Sequence, residues 1–234
     1  MAKHFITFGA GKPEYYEAGN RLLVQARNLN VFNHMKLYTD QDLKNDNYFW
    51  KKHSNFIETN PRGYGYWLWK PYIIKQTMDK MKNGDILLYL DCGCELNIKK
   101  KEMIEHFLGM IKNEHIIGTR VCIEKQYNKM DLIEKLNMYD DKYLNTPQHQ
   151  AGALLFLVCD KTRNLVKQWY ELGSDYHNID DGPSIRKNLD CFREHRHDQS
   201  IFSLLTKKYD LFSQRSLYCV EYIRNRTGVS KIHH

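Results

Sequence analysis

The sequence predicts an α/β fold: a mostly parallel central sheet with helices on both faces. Three observations lead there. Short apolar runs alternate with longer stretches of helical spacing along the whole chain, the order that builds a parallel sheet covered on both sides. One run, 151–158, is continuously apolar, as a strand buried on both faces must be. Another, 85–90, runs straight into Asp91-Cys92-Gly93-Cys94-Glu95. That turn delivers a carboxylate to a strand's carboxyl end, where open α/β sheets bind ligands.

Residues 4–8 alternate weakly and end at Gly9, a first strand. Residues 15–29 carry Ala18, Leu22, Ala26 and Leu29 at helical spacing. A short strand at 35–38 closes at Thr39-Asp40. Leu43, Phe49, Trp50 and Phe56 give 42–56 the stripe of a helix. A further helix covers 66–81, with Pro71 where a helix starts or breaks. The central strand 85–90 follows, then a helix at 101–111, a strand at 115–119 and a short helix at 130–138. Strand 151–158 leads into a helix at 160–176, with Asp160 as its cap. Residues 174–193 are polar, contain Gly182-Pro183 and read as a mobile loop. A helix at 198–207 and short strands at 209–212 and 217–222 complete the order, before a basic tail from Arg224. No repeat or linker divides the chain, so one domain over 1–234 is expected.

Composition narrows the function. The 234 residues carry a net charge of +7. The positive residues are spread out, and Lys99-Lys100-Lys101 is the longest basic run. That suits an enzyme handling phosphates better than a nucleic-acid binder. The six cysteines make no C-x-x-C pair, so neither a zinc ribbon nor a thioredoxin site is signalled. Several sit in apolar stretches as small hydrophobes, which fits a reducing compartment. The first apolar stretch is too short for a signal peptide, and 151–159 is too short to span a bilayer. The expectation is a soluble cytoplasmic protein, or one of the host cytoplasm if the chain is viral.

Four segments carry chemistry. Gly9-Ala10-Gly11 follows the first strand, but Glu14 stands where a dinucleotide fingerprint has its third glycine. The first strand end suits a nucleotide base instead, with Thr7, Phe8 and Tyr15 around it. Arg62-Gly63-Tyr64-Gly65-Tyr66-Trp67-Leu68-Trp69-Lys70 is dense in aromatics, partly core. Its Arg62 and Lys70 are placed to reach a diphosphate. Asp91 and Glu95 form an acidic pair suited to a hard divalent cation, and a carboxylate aimed by a buried strand is costly without a partner. Gln150-Ala151-Gly152 opens a buried strand with a glycine that lets the backbone approach a ligand. Asp198-Gln199 opens a helix, with Asp198 either its cap or a functional acid.

In their order these segments resemble the glycosyltransferases of the GT-A fold, with the layout of glycogenin and related bacterial and viral sugar transferases. The resemblance spans most of the chain and rests on short motifs: Lys70 before the strand, Asp91-Cys92-Gly93 at its end, Gln150-Ala151-Gly152, Asp198-Gln199, and a tail ending in histidines. It implies a GT-A sheet binding a nucleoside-diphosphate sugar, with a UDP-sugar as the default donor. A hydroxyl of a glycan or other molecule would be the acceptor, and Mn2+ or Mg2+ the cofactor. It implies catalytic roles for Lys70, Asp91 and Asp198, and donor contacts from Arg62, Cys92, Gly93, Gln150, Gly152 and Gln199. One departure stands out. The second acid of Asp-x-Asp, which binds the metal, is Gly93 here. Asp91 and Glu95 then share the metal, or a tail histidine such as His233 helps, or little metal is needed. A catalytically inactive GT-A fold that binds carbohydrate or nucleotide is the alternative.

Overall fold

The computed structural model describes residues 1–232. Its central sheet contains β1 (Lys3–Gly9), β2 (His34–Thr39), β3 (Ile86–Leu90), β5 (Ile116–Ile123) and β6 (Pro147–Leu157), with β4 (Glu95–Leu96) and β7 (Val220–Glu221) forming a separate antiparallel pair. The sheet order is β2-β1-β3-β6-β5. β1 pairs parallel with β2 and β3, whereas β6 runs antiparallel to both β3 and β5. Four of the five strands therefore point the same way. The reversal of β6 brings its middle residues to the carboxyl end of β3: Leu90 pairs with Ala153, and the Asp91 N–H donates to the Gly152 carbonyl at 2.8 Å.

Alternation along the strands assigns the two faces. Phe5, Leu88, Leu90 and Leu155 pack with Leu22, Ala26 and Leu29 of α1 (Pro13–Leu29). Ile6, Phe8, Leu87, Tyr89 and Phe156 face the opposite way, into a second core. After α2 (Asp40–Lys44), α3 (Asn47–Thr59) and the turn α4 (Gly63–Tyr66), that second core is built by α5 (Trp69–Met78). The remaining helices are α6 (Lys101–Met110), α7 (Met130–Lys135), α8 (Asp141–Leu144), α9 (Asp160–Gly173) and α10 (His197–Lys208). Helices α9 and α10 share the core of α5, and α6 packs on the face of α1. None of the described helices is long and apolar enough to cross a membrane.

Several boundaries differ from the sequence expectation, each for a physical reason. The 42–56 helix is two helices, because the Asp46 carboxylate caps the second by accepting from the Phe49 N–H at 3.0 Å. The helix expected from 66 begins at Trp69, because residues 63–67 all have positive φ. Asp160 is not the cap of α9. Cys159 holds that position, and its N–H donates to Thr162 Oγ1 at 3.0 Å. The strand expected at 209–212 is a single bridge from Phe212 to Ile116, and 217–222 contributes only β7. The polar loop at 174–193 is tied down rather than free: Asp131 accepts from His177, Ser184 and the N–H groups of Ile185 and Arg186, and Lys129 pairs with Asp180.

Candidate active site

The alternation that buries Leu90 on the α1 face turns Tyr89 and Asp91 toward α5 and α10. Those two helices supply what a carboxylate there requires. Lys70 Nζ stands 3.3 Å from Asp91 Oδ1 and 3.1 Å from Asp198 Oδ2. The Tyr89 hydroxyl donates to Asp91 Oδ1 at 2.6 Å. The Lys70 and Asp198 side chains are only 4% and 6% exposed, against 27% for Asp91, so Asp91 is the member of the trio that faces outward. Buried charge is tolerated here because each ion has an opposite partner.

Electrostatics separate the two acids. Burial pushes the Asp198 carboxyl up to about 6, nearby Asp91 adds to the rise, and Lys70 opposes it. Burial alone would depress Lys70, but Asp198 and Asp91 outweigh it and hold the ammonium above its ordinary value. A cluster of one ammonium between two carboxylates is net negative when both acids are ionised. A carboxyl raised toward neutrality in such a place makes the cluster a candidate functional site.

Two strained segments position these groups. Gly63, Tyr64, Gly65, Tyr66 and Trp67 all have φ between +51° and +81°. The Tyr66 and Trp67 N–H groups donate to the Arg62 and Gly63 carbonyls at 2.8 and 3.1 Å, closing a left-handed turn. Each non-glycine residue in that conformation costs about 1–2 kcal/mol. His197, just ahead of Asp198, also has φ +54°, and its ring lies 5.1 Å from that of Tyr66 and 5.2 Å from that of Trp67. The strain thus sits at the turn that leads into α5 and Lys70 and directly before Asp198, and the two regions pack on each other.

Gly152 completes the front of the cluster. A Cβ there would stand 2.5 Å from the Tyr222 hydroxyl and 2.7 Å from Asp91 Oδ2, so only glycine leaves that space. The Tyr222 hydroxyl itself approaches Asp91 Oδ2 at 3.4 Å.

The structure thus joins Lys70, Asp91, Gly152 and Asp198, four elements far apart in sequence. Gln199 lies beside them: its Oε1 accepts from the Ala151 N–H at 3.3 Å and its Nε2 donates to Gln148 at 2.7 Å, while Gln150 is buried in the same strand. At the end of β1, Phe8 stacks on Trp69 with centroids 3.8 Å apart, Thr7 is buried, and Tyr15 lies under Arg226. Arg62 is held elsewhere, in a two-oxygen contact with Asp181 at 2.9 Å. The Cys92 carbonyl accepts from Arg21 at 2.8 Å.

Glu95 requires a correction. It was expected to share a metal with Asp91, but its carboxylate is fully buried and accepts from Gln25, Asn225, Ser230 and the Lys231 N–H. Burial alone would raise this acid, but those four donors outweigh it and hold the carboxyl at about 2. Glu95 is a latch for the C-terminal segment. His233, the other expected ligand, lies outside the described residues.

Around Asp91 the donors do not fit a divalent cation. Gly93 has no side chain to offer, and Asp91 Oδ1 is already engaged by Tyr89 and Lys70. Burial, with Asp91 nearby, pushes the Cys92 thiol up to about 12, and Cys94 rises for the same reasons. Among the described residues no three His, Cys, Asp or Glu side chains come together as a metal cage.

Sequence reading missed Tyr89, Tyr222 and Arg21. Tyr89 was findable, since two residues before Asp91 on a strand means the same face. The Arg21 guanidinium donates to the carbonyls of Cys92, Cys94, Asn225 and Thr227, joining the acidic turn to the C-terminal segment. No local signal marked it or Tyr222, because their partners are 71–206 and 131 residues away.

No model of a known protein family matches the chain, and no curated protein does. Solved structures do. Mouse xyloside xylosyltransferase 1 aligns over 91% of this chain and 84% of its own, with a TM-score of 0.46 and 13% identity. A glycosyltransferase involved in glycosylating the major capsid of PBCV-1 aligns over 74% and 66%, with a TM-score of 0.41 and 12% identity. The galactosyltransferase LgtC, solved with donor and acceptor sugar analogues, aligns over 97% and 84%, with a TM-score of 0.41 and 13% identity. The functional reading is carried by the residues, not by these alignments.

Proposed function

We propose that this protein is a GT-A-type glycosyltransferase, working as one domain. It moves a sugar from a nucleoside-diphosphate sugar, with a UDP-sugar as first candidate, to a hydroxyl of a glycan or other acceptor. The observation that carries the reading is the Asp91–Lys70–Asp198 cluster at the carboxyl end of β3, opened by Gly152. When the bond from the donor sugar to phosphate lengthens, positive charge develops at the sugar carbon. A net-negative cluster stabilises that charge. Asp198, with its carboxyl near neutrality, is matched to removing the acceptor proton. The end of β1, with Thr7, Phe8 and Tyr15, is where the base would lie. Six free cysteines favour work in a reducing compartment such as the cytoplasm.

The test is a thermal-shift screen of UDP-, GDP- and dTDP-sugars, followed by a transfer assay with the donor that raises the melting temperature most. A bound native-state ligand raises stability by mass action. Asp91→Ala should abolish transfer in a protein that still melts cooperatively, and normal transfer in that variant would remove Asp91 from the site. The approach of Tyr222 to Asp91 favours a second reading, an inactive fold that only binds nucleotide or carbohydrate. Turnover of any donor eliminates it.

A further inference from the structure

A negative cluster leaves the diphosphate of a donor without a counter-charge, and Lys70 does not supply one, since its ammonium is held between two carboxylates. The structure places other cations nearby. Gly93, at the position of the missing second acid, is covered by backbone. A Cβ there would stand 3.2 Å from the Arg224 Cα, and the Asn225 N–H donates to the Gly93 carbonyl at 2.8 Å. Asn225 is fully buried, donates to Glu95 Oε1 at 2.6 Å, and its own carbonyl accepts from Arg21 at 3.1 Å.

The residues on either side of this anchor are Arg224 and Arg226, both exposed. Arg62, Arg186, Arg196 and Arg215 have acidic partners. Among the described residues, Arg224 and Arg226, like Arg27 and Arg193, have neither an acidic partner nor a side-chain hydrogen bond. The Arg226 guanidinium lies 5.7 Å over the Tyr15 ring, in the first turn after β1. Arg224, with φ +52°, follows Tyr222, whose hydroxyl approaches Asp91. The backbone anchored at Asn225 therefore carries two unpaired cations, one over Tyr15 beside the β1 end and the other shortly after Tyr222.

We propose that Arg224 and Arg226 bind the donor's diphosphate in place of a divalent cation, and that Gly93 is the small residue that lets them approach. The inference rests on the nucleotide-sugar reading above. Two guanidiniums carry the same charge as one divalent ion, and their planar donors match phosphate oxygens two at a time. In transfer, the bond from the sugar carbon to the β-phosphate oxygen breaks, and its electron pair leaves with the diphosphate between the arginines. The acceptor oxygen forms the new bond and gives its proton to Asp198. An aspartate at position 93 would press on the Arg224 backbone rather than on a flexible side-chain tip, and that backbone would have to give way to admit it.

The test is calorimetric titration of chelator-treated full-length protein with UDP, GDP and dTDP, with and without Mn2+, and with Mn2+ alone. One diphosphate should bind equally well with chelator and with Mn2+. An Arg224→Gln, Arg226→Gln protein, checked for an unchanged melting temperature, should bind it at least about tenfold more weakly, a loss of about 1.4 kcal/mol. Its affinity for the matching nucleoside should stay within about twofold, since the base is held at β1. Gly93→Asp should weaken diphosphate binding without creating a Mn2+ site. Binding that needs Mn2+, an unaltered affinity in the double variant, or Mn2+-dependent binding gained by Gly93→Asp would each overturn the inference while leaving the donor reading standing. No diphosphate binding under any condition would sink both.

Discussion

Asp91 and Glu95 stand four residues apart in one turn, yet they do opposite things. Asp91 faces outward, shares a lysine with Asp198, and its second oxygen meets only the Tyr222 hydroxyl, at 3.4 Å beside Gly152. Glu95 is fully buried, with four donors on its two oxygens. The lesson is that a carboxylate's role follows its donors. An acid saturated with neutral donors holds structure together, whereas an acid sharing a single cation with another acid keeps capacity for a ligand.

This contrast is open to direct attack. The largest expected effect is on chemistry: Asp198→Asn should slow transfer by about 10²–10⁴-fold, as loss of a general base does, with little change in melting temperature. The next is on structure. Glu95→Ala leaves its buried donors without an acceptor and should cost about 2–4 kcal/mol of stability by chemical denaturation. A Glu95→Ala protein as stable as the parent would end the latch assignment. Gly152→Ala should cost about 1–3 kcal/mol by overpacking and, unlike Glu95→Ala, should damage transfer before it damages the fold. Smallest is Tyr89→Phe, which removes one hydrogen bond to Asp91 and should cost about 0.5–1.5 kcal/mol, read as a modest fall in kcat/KM.

Acidity sharpens the same contrast, because the two regions titrate on opposite sides of the ordinary carboxylate range. Asp198 is raised to about 6, so in its proposed role it would serve as a base only above that pH, and kcat/KM should fall as pH drops through about 6. Glu95 is lowered to about 2. The stability it contributes is present above its unfolded value near 4.5 and disappears as pH falls through about 2. At about pH 5 the C-terminal segment should therefore remain latched while transfer has largely ceased. Proteolysis of that segment at pH 5 as fast as in a Glu95→Ala protein would contradict this.

Much of the fold was legible because hydrophobic period reports burial. Strand 85–90, the helix from 15 and strand 151–158 were readable from apolar spacing alone. Lys70, Asp91 and Asp198 were readable because each sits at an element boundary next to a recognisable apolar run, whereas Gly152 lies mid-strand, since β6 begins at Pro147 rather than at 151. The left-handed turn was not, since Tyr66 and Trp67 give no sign of positive φ and the paired glycines read equally well as a helix entry. Nor was the fate of Glu95, because its donors come from Gln25 and from residues 225–231, separations that no local pattern encodes.

The contact of Tyr66 and Trp67 with His197 has a consequence for anyone recombining this chain with a similar one. The left-handed turn at 63–67 and the single positive-φ residue His197 pack ring against ring. Residues 62–70 and 195–199 therefore form one inheritable block. Grafting either alone should relax its backbone toward ordinary geometry and carry Lys70 or Asp198 away from the other, whereas exchanging both together should transplant the cluster intact.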